Sequence, residues 1–141
     1  MKIVINRCHG GYGLSYEAVM RYLELKGIDV YPEKNEGGWG HWTYWLVKPE
    51  DRLEKKDNEA FYSLTTDERY AYNQKLYEQT FEENCIDRDD EVLVRVVEEL
   101  GDVANGDYAE LAIVEIPDNV EWEISEYDGS EHIAEKHRTW Y

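Results

Sequence analysis

An apolar run, a glycine-rich loop and an amphipathic helix follow one another at the amino end and most limit how this chain can fold. Residues 2–6, KIVIN, contain three consecutive β-branched residues, which predicts a short strand buried on both faces. Ser15 is a good N-cap and Gly27 a good left-handed C-cap, so a helix is predicted between them. We expect this helix to pack through the apolar stripe formed by Ala18, Val19, Tyr22 and Leu23.

The segment after this helix, IDVYP at 28–32, is predicted to form a second strand. Two strands joined through one helix cross over in the right-handed sense and lie parallel. The sequence therefore predicts a strand-loop-helix-strand unit with two parallel strands.

The middle of the chain predicts one strand and one helix. The strand is expected at Trp42–Val47, between glycines and a proline. A helix is predicted at 65–81, because Thr65 and Glu68 have the spacing of a capping box. The polar residues 48–58 are expected to form an exposed loop.

The carboxyl-terminal third predicts a helix followed by a β-hairpin. Residues 87–101 begin with acids, end at a glycine and carry apolar residues at helical spacing. Residues 110–116 and 120–127 have the character of strands and flank a turn-forming Pro-Asp-Asn sequence, so they are expected to pair. In 120–127 apolar residues alternate with acidic or polar ones, which predicts one buried and one acidic face. A last short helix is predicted from Ser130.

These elements together predict the α+β class. A length of 141 residues fits one domain that buries its own core. We expect a single compact α+β domain over 1–141, with a small mixed sheet, the strand-loop-helix-strand unit, two further helices and a carboxyl-terminal β-hairpin.

The formal net charge of −17 is concentrated at the carboxyl end. Residues 81–141 contain 4 Lys and Arg against 19 Asp and Glu, whereas residues 1–31 contain 4 against 3. A strongly negative field repels nucleic acids and anionic membranes and attracts cationic surfaces. The charge therefore argues against direct binding to nucleic acid or membrane, while the nearly neutral first third still permits an anionic ligand.

The chain has features typical of a cytoplasmic protein. Its two cysteines, Cys8 and Cys85, give no disulfide framework, and the amino terminus lacks the pattern of a secretory signal. No apolar run approaches the roughly 20 residues that span a bilayer. We expect a cytoplasmic location.

Both ends of the chain carry a family resemblance. The opening KIVINRCHGGYGLS, together with VVEELG, VEIPDNVEWEISEYDG and EHIAEKHRTW near the other end, resembles a group of small proteins encoded by tailed phages and prophages. The resemblance implies a phage origin, an accessory, anti-defence or host-interaction role, and the cytoplasm of an infected bacterial host. It transfers no catalytic residues and no established activity.

The glycine loop has two interpretations. Between a strand and a helix, backbone N–H groups of such a loop and of the helix terminus can hold a phosphate. The spacing lacks the Lys-Ser/Thr end of a P-loop and the third glycine of the dinucleotide fingerprint, and a tight turn with positive φ is the alternative. As a ligand site, it would use Arg7, His9, Gly10, Gly11, Tyr12, Gly13 and Ser15, with Trp39 stacking on a base and Arg138 pairing with an anion.

An aromatic cluster in the middle of the chain also has two interpretations. Aromatic faces bind bases or sugar rings, but strand alternation places some of these rings in a core. Trp39 lies in a Gly-Gly-Trp-Gly sequence and is the residue expected at an exposed loop tip. The cluster contains Trp39, His41, Trp42, Tyr44 and Trp45.

Neither metal binding nor catalysis is indicated. His132 and His137 are five residues apart and do not share a helical face, so no metal site is predicted, and Arg138 is expected to pair with a carboxylate or an anion. Cys8 and His9 are adjacent in sequence, which rarely aligns a nucleophile with its base. We assign no catalytic residue and no cofactor, and leave enzymatic activity as the less favoured option.

Two functions from different classes follow. In the first, the protein binds a small anionic nucleotide-like ligand, such as ADP-ribose, at the glycine loop. In the second, its acidic half covers a basic surface of a host protein, as a DNA mimic does. A third interpretation is that the charge only solubilises the protein.

Overall fold

The computed structural model describes residues 1–36, 41–137 and 140. The chain is divided into two compact units, one formed by Met1–Gly27 and Glu83–Tyr141 (unit 1) and one formed by Ile28–Glu82 (unit 2). The α+β class is confirmed, with several small sheets, helices and a carboxyl-terminal hairpin. The single domain over 1–141 stays a prediction.

The helices and strands alternate irregularly along the chain. Short 3₁₀ turns at Pro49–Asp51, Glu83–Cys85 and Gly101–Ala104 connect some of them. In chain order the elements are β1 (Lys2–Asn6), α1 (Tyr16–Lys26), β2 (Tyr31–Lys34), β3 (Trp42–Trp45), α2 (Asn58–Tyr62), α3 (Thr66–Gln79), β4 (Thr80–Phe81), α4 (Glu91–Leu100), β5 (Leu111–Glu115), β6 (Trp122–Tyr127) and β7 (Ser130–Glu135).

The first helix forms as its sequence predicts. The Ser15 hydroxyl oxygen accepts a hydrogen bond from the Ala18 N–H at 3.1 Å, which satisfies a backbone donor that has no partner within the helix. Gly27 ends α1 with φ of 70°. The predicted stripe is buried, namely Ala18, Val19, Tyr22 and Leu23.

The core of unit 1 lies between α1, α4 and β1. The apolar residues Ile3, Val4 and Ile5 of β1 are buried, as predicted. Asp90 begins α4, because its carboxylate accepts the N–H groups of Val92 and Leu93. The helix therefore starts four residues later than the predicted 87, and it buries Leu93, Val94, Val96 and Val97.

The predicted parallel pairing of the first two strands is wrong. In unit 1, β1 pairs antiparallel with β5, and in unit 2, β2 pairs antiparallel with β3. The second strand also begins at Tyr31, three residues later than predicted. Because β3 follows β2 closely in the chain, the two strands pair locally, which costs less loop entropy than a crossover to β1.

The predicted carboxyl-terminal hairpin exists, but with different strands. The residues around Pro117 do not form a hairpin turn, because β5 pairs with β1 and the Ile116 N–H donates to the Met1 carbonyl. Instead β6 pairs with β7, and the helix predicted from Ser130 is wrong. Asp128 and Gly129 form the turn with φ of 50° and 88°, the positive values of a type I′ hairpin.

Unit 2 is built around a three-stranded antiparallel sheet, β2-β3-β4. The central strand buries Trp45, whose side chain is 1% exposed, and the Arg52 guanidinium lies 5.1 Å from its ring centroid. The capping box of Thr65 and Glu68 is present at the start of α3, as predicted. The loop at 48–58 is largely exposed.

No helix in the part of the chain that the structure describes is both long enough and apolar enough to cross a membrane.

Candidate functional site

The glycine loop packs tightly against a second segment of unit 1. A Cβ atom on Gly10 would lie 2.0 Å from the carbonyl oxygen of Tyr108. Gly13 faces Gly106, whose N–H donates to the Gly13 carbonyl at 2.9 Å, while Gly11 has φ of +99°. Close backbone packing at Gly10 and a positive φ at Gly11 therefore explain two of the glycines without any ligand.

Backbone donors at the end of the loop are bonded within the protein. The Leu14 N–H donates to the Glu83 carboxylate at 3.0 Å, and the Ser15 N–H donates to the Ala104 carbonyl at 2.9 Å. A bound phosphate would need such donors. At Leu14 the Glu83 carboxylate occupies the N–H that a phosphate would use. The Ser15 hydroxyl caps α1 and is not free.

Asn6 holds this loop to its surroundings. Its side chain is 0% exposed, and the amide nitrogen donates to the carbonyl oxygens of Cys8 and Gly129, each at 2.8 Å. The amide oxygen accepts the Glu110 N–H at 2.8 Å. One buried amide therefore fixes the loop, the turn of the hairpin and the segment that enters β5.

An ion pair between Arg88 and Glu131 lies beside Asn6. The guanidinium and the carboxylate form two hydrogen bonds, at 2.8 and 3.0 Å, and their side chains are 20% and 9% exposed. The Asn6 N–H donates to the same carboxylate at 2.8 Å. This geometry is bidentate, which is the strongest arrangement for such a pair.

Arg88 also closes one edge of β1. Its carbonyl accepts the Val4 N–H at 2.9 Å, and its guanidinium donates to the Val4 carbonyl at 3.2 Å. Together with the hydrogen bond from the Asn6 N–H to Glu131, these contacts satisfy backbone groups of Val4 and Asn6 on the edge of β1 that faces away from β5.

Burial opposes ionisation of Glu131, but other groups outweigh it. Hydrogen bonds from Arg88 and from the Asn6 N–H, together with the positive charge of Arg88, lower the pKa of Glu131 from its ordinary value of 4.5. The carboxylate is therefore ionised at neutral pH.

Tyr12 stacks on the guanidinium of this pair. The centre of the Arg88 guanidinium lies 3.3 Å from the Tyr12 ring centroid, which is a close cation–π contact. The Tyr12 hydroxyl is buried and has no hydrogen-bond partner among the described residues. Burial raises the pKa of Tyr12 to about 12, and the nearby charge of Arg88 only partly opposes this.

The structure brings some of the predicted ligand-binding residues together and separates others. Gly10, Gly11, Tyr12 and Gly13 share the loop, whereas Arg7 and His9 are exposed, with His9 Nδ1 3.2 Å from the Asp128 carbonyl. Trp39 and Arg138 lie outside the described residues. The residues that sequence reasoning missed are Asn6, Glu83, Arg88 and Glu131, which are too far apart in the chain to form a local pattern.

The aromatic cluster belongs mainly to the sheet of unit 2. Trp45 is core, Trp42 and Tyr44 are half-buried on the opposite face of β3, and His41 is exposed. The alternation predicted from the sequence is thus present. Among the described residues, no three His, Cys, Asp or Glu side chains converge in a way that could hold a metal ion.

A cavity of about 450 Å³ opens beside the amino terminus of unit 1. Its carboxylates are accompanied by Lys2, Arg95 and the terminal ammonium group, so its charge is nearly balanced. Lys2 is bonded to Glu98 at 2.8 Å, and the ammonium group is bonded to Asp118 at 2.5 Å. The cavity therefore offers no strong preference for either sign of ligand charge.

The strongest charge imbalance lies in residues 96–135, which contain 13 Asp and Glu and no Lys or Arg. Four of these carboxylates are paired: Glu98 with Lys2, Glu99 with Arg21, Asp118 with the terminal ammonium group, and Glu131 with Arg88. The remaining nine are exposed and form no ion pair with any described residue. They are Asp102, Asp107, Glu110, Glu115, Glu121, Glu123, Glu126, Asp128 and Glu135.

Comparison of the chain with models of protein families, with curated proteins and with solved structures finds no match.

The packing of the glycine loop predicts different effects for two substitutions. Gly10→Ala should lower the free energy of unfolding by about 1–3 kcal/mol, because its methyl group collides with the Tyr108 backbone. Gly13→Ala is the matched control and should change it by less than about 0.5 kcal/mol, since the nearest atom is 4.0 Å away. Urea unfolding of both variants measures the difference. Equal effects would contradict the packing.

The ion pair predicts a pH-dependent change in stability. Because the folded pKa of Glu131 is depressed, its stabilisation is present above pH 4.5 and is lost as pH falls through the folded pKa. Glu131→Gln should therefore reduce the free energy of unfolding at pH 7 by about 2–4 kcal/mol. In acid, this difference in free energy of unfolding between the variant and the unmodified protein, the stability gap, should become smaller.

Unfolding in urea at a series of pH values measures this gap. The control is Glu135→Gln, an exposed carboxylate in the same strand, for which the gap should be small at every pH. A gap for Glu131→Gln that does not change with pH would refute the role of its charge.

Proposed function

We propose that the protein binds a cationic surface of another protein through the hairpin β6–β7 and its flanking carboxylates. We call residues 121–135 the acidic hairpin. The observation that carries the proposal is the group of exposed carboxylates without an ion pair, of which five lie on this hairpin: Glu121, Glu123, Glu126, Asp128 and Glu135.

Like charges held close together destabilise a folded chain. A net charge of −17 is well beyond the magnitude of about 2–8 that suffices to keep a small domain soluble. Local pairing is available to this chain, as Arg21 and Lys2 show in unit 1, yet on the acidic hairpin only Glu131 forms an ion pair with a described residue. A basic partner would relieve the repulsion on binding.

The pairing of β6 with β7 defines the two faces of the hairpin. Glu131 lies on the face that turns toward Arg88, so the other face is directed outward. The outward face carries Glu123, Tyr127 and His132, and the Tyr127 side chain is 78% exposed. Carboxylates beside an exposed aromatic ring suit lysine and arginine side chains, which bind through charge and through the ring face.

The same charge decides which class of partner fits. Phosphate backbones and anionic lipid headgroups are repelled, whereas a basic protein surface is attracted over a distance of about 10 Å at moderate salt. The phage resemblance of the sequence makes a host protein the expected partner, and the cytoplasm of the infected cell the expected place. Blocking a nucleic-acid-binding surface would be a suitable role for such an acidic protein.

Neutralising the acidic hairpin tests the proposal. The test variant carries Glu121→Gln, Glu123→Gln, Glu126→Gln and Glu135→Gln, and its affinity for poly-lysine is measured by calorimetry at several salt concentrations. The control carries Glu50→Gln, Glu54→Gln, Glu59→Gln and Glu78→Gln in unit 2, which change the net charge equally. We expect at least about tenfold weaker binding for the hairpin variant than for the control, with a smaller dependence on salt.

Equal affinities of the two variants would mean that only total charge matters, and would contradict a binding surface on the hairpin. Absence of binding by the unmodified protein at low salt would contradict the proposed function altogether.

A nucleotide-like ligand at the glycine loop is the second candidate, and the buried Tyr12 hydroxyl favours it. A buried hydroxyl without a partner costs about 1–3 kcal/mol. A ligand oxygen would remove this cost if the loop around Tyr12 opened to admit it. Calorimetry with ATP, NAD and ADP-ribose in place of poly-lysine tests this candidate. Lack of heat with all three would count against it.

A further inference from the structure

Strand β5 has one edge paired and one edge open. It pairs with β1, and no other strand among the residues that the structure describes pairs with it. At one end of the β1–β5 ladder the N–H of Ile116 donates to the Met1 carbonyl, and at the other the N–H of Arg7 donates to the Glu110 carbonyl. Between these two ends, opposing residues of the antiparallel ladder alternate between hydrogen-bonded and non-hydrogen-bonded pairs. The N–H and carbonyl groups of Leu111, Ile113 and Glu115 therefore face away from β1.

One of these outward groups is already bonded. The Leu111 N–H donates to the side-chain oxygen of Asn105 at 2.9 Å, which closes the edge where β5 begins. From the Leu111 carbonyl onward, the outward groups have no partner among the described residues. The side chains of the first four residues of the strand, LAIV, are half-buried, and that of Glu115 is exposed.

Natural proteins usually protect such an edge with a charge inside the strand, a proline or a bulge. The sequence of β5 has none of these between Leu111 and Val114, and its carboxylates, Glu110 and Glu115, stand at the two ends. A strand of this kind is a template for pairing with another extended chain.

We propose that an extended, basic segment of the partner protein pairs with the open edge of β5 as an added strand. This rests on the proposed function and specifies how the partner binds. Backbone hydrogen bonds to Ile113 and Glu115 would supply affinity, and lysine or arginine residues near the ends of the segment would meet Glu110 and Glu115.

Charge favours this occupant over a second copy of the chain. Two copies joined edge to edge at β5 would bring together two regions of 40 residues, 96–135, that contain no Lys or Arg. Like-charge repulsion opposes such a pair, whereas a cationic segment is attracted by the same carboxylates. The acidic residues thus oppose self-pairing and favour a basic strand.

Two synthetic peptides of equal charge test the proposal. One alternates lysine with valine and can form a strand, and the other alternates lysine with proline, whose fixed φ holds the peptide in the polyproline II conformation instead. The unmodified protein should bind the valine peptide at least about tenfold more tightly than the proline peptide, measured by calorimetry.

Substitutions at Ile113 locate the added strand. Ile113→Pro removes an N–H that faces away from β1, so it should abolish the difference between the peptides while the pairing with β1 remains. Ile113→Ala is the matched control, because it loses the side chain but keeps the N–H, and it should preserve the difference. If Ile113→Pro unfolds at a much lower temperature than Ile113→Ala, the same comparison is made with Glu115→Pro, with Glu115→Gln as its control.

The outcomes separate the two proposals. Equal binding of both peptides by the unmodified protein would leave the proposed function standing and overturn the added strand. A preference for the valine peptide that survives proline substitution would also overturn it. Binding of neither peptide would overturn both proposals.

Discussion

The ion pair between Arg88 and Glu131, with Asn6 beside it, is the interaction on which unit 1 depends. Strand β1 is buried on both faces, and its backbone groups must be bonded on both edges. On the edge away from β5 no strand is hydrogen-bonded to β1 among the described residues, and the bonds come from the Arg88 backbone and guanidinium and from the Glu131 carboxylate. Removing one of the two charges would leave the other buried without a partner. In a fully buried pair this lowers the free energy of unfolding by about 3–5 kcal/mol, and here by less because Arg88 is 20% exposed.

Two properties of the surface accompany this arrangement. Glu131 and Arg88 neutralise each other inside, whereas the remaining carboxylates of the acidic hairpin are exposed and form no ion pair with any described residue. The Arg88 backbone and the side chains of Arg88 and Glu131 are hydrogen-bonded to the edge of β1 away from β5, so β5 is the only strand hydrogen-bonded to β1 among the described residues. The other edge of β5 is open. A negative surface and an open strand edge in one unit are the two features that a basic, extended partner segment would use.

Local signals in the sequence predicted the local structure well. Ser15, Gly27, Thr65 and Glu68 bond as their spacing indicates, because a cap depends only on neighbouring residues. Strand pairing failed, since pairing is settled by distant partners: β5 joins β1 across about a hundred residues. The Asp128-Gly129 turn was a readable hairpin signal that the apparent turn at Pro117 obscured. Nothing local to Arg88 or Glu131 could have predicted their contact, because they lie 43 residues apart.

Native-state hydrogen exchange of the backbone amides compares the two edges of the β1–β5 sheet within one experiment. The N–H groups of Val4 and Asn6 are bonded to Arg88 and Glu131, so we expect them to exchange only on global unfolding. The outward N–H groups of Ile113 and Glu115 should exchange at least about a hundredfold faster in the free protein. Equal protection at all four amides would show that the outer edge of β5 is not open, and rapid exchange at Val4 and Asn6 would show that Arg88 and Glu131 do not hold β1.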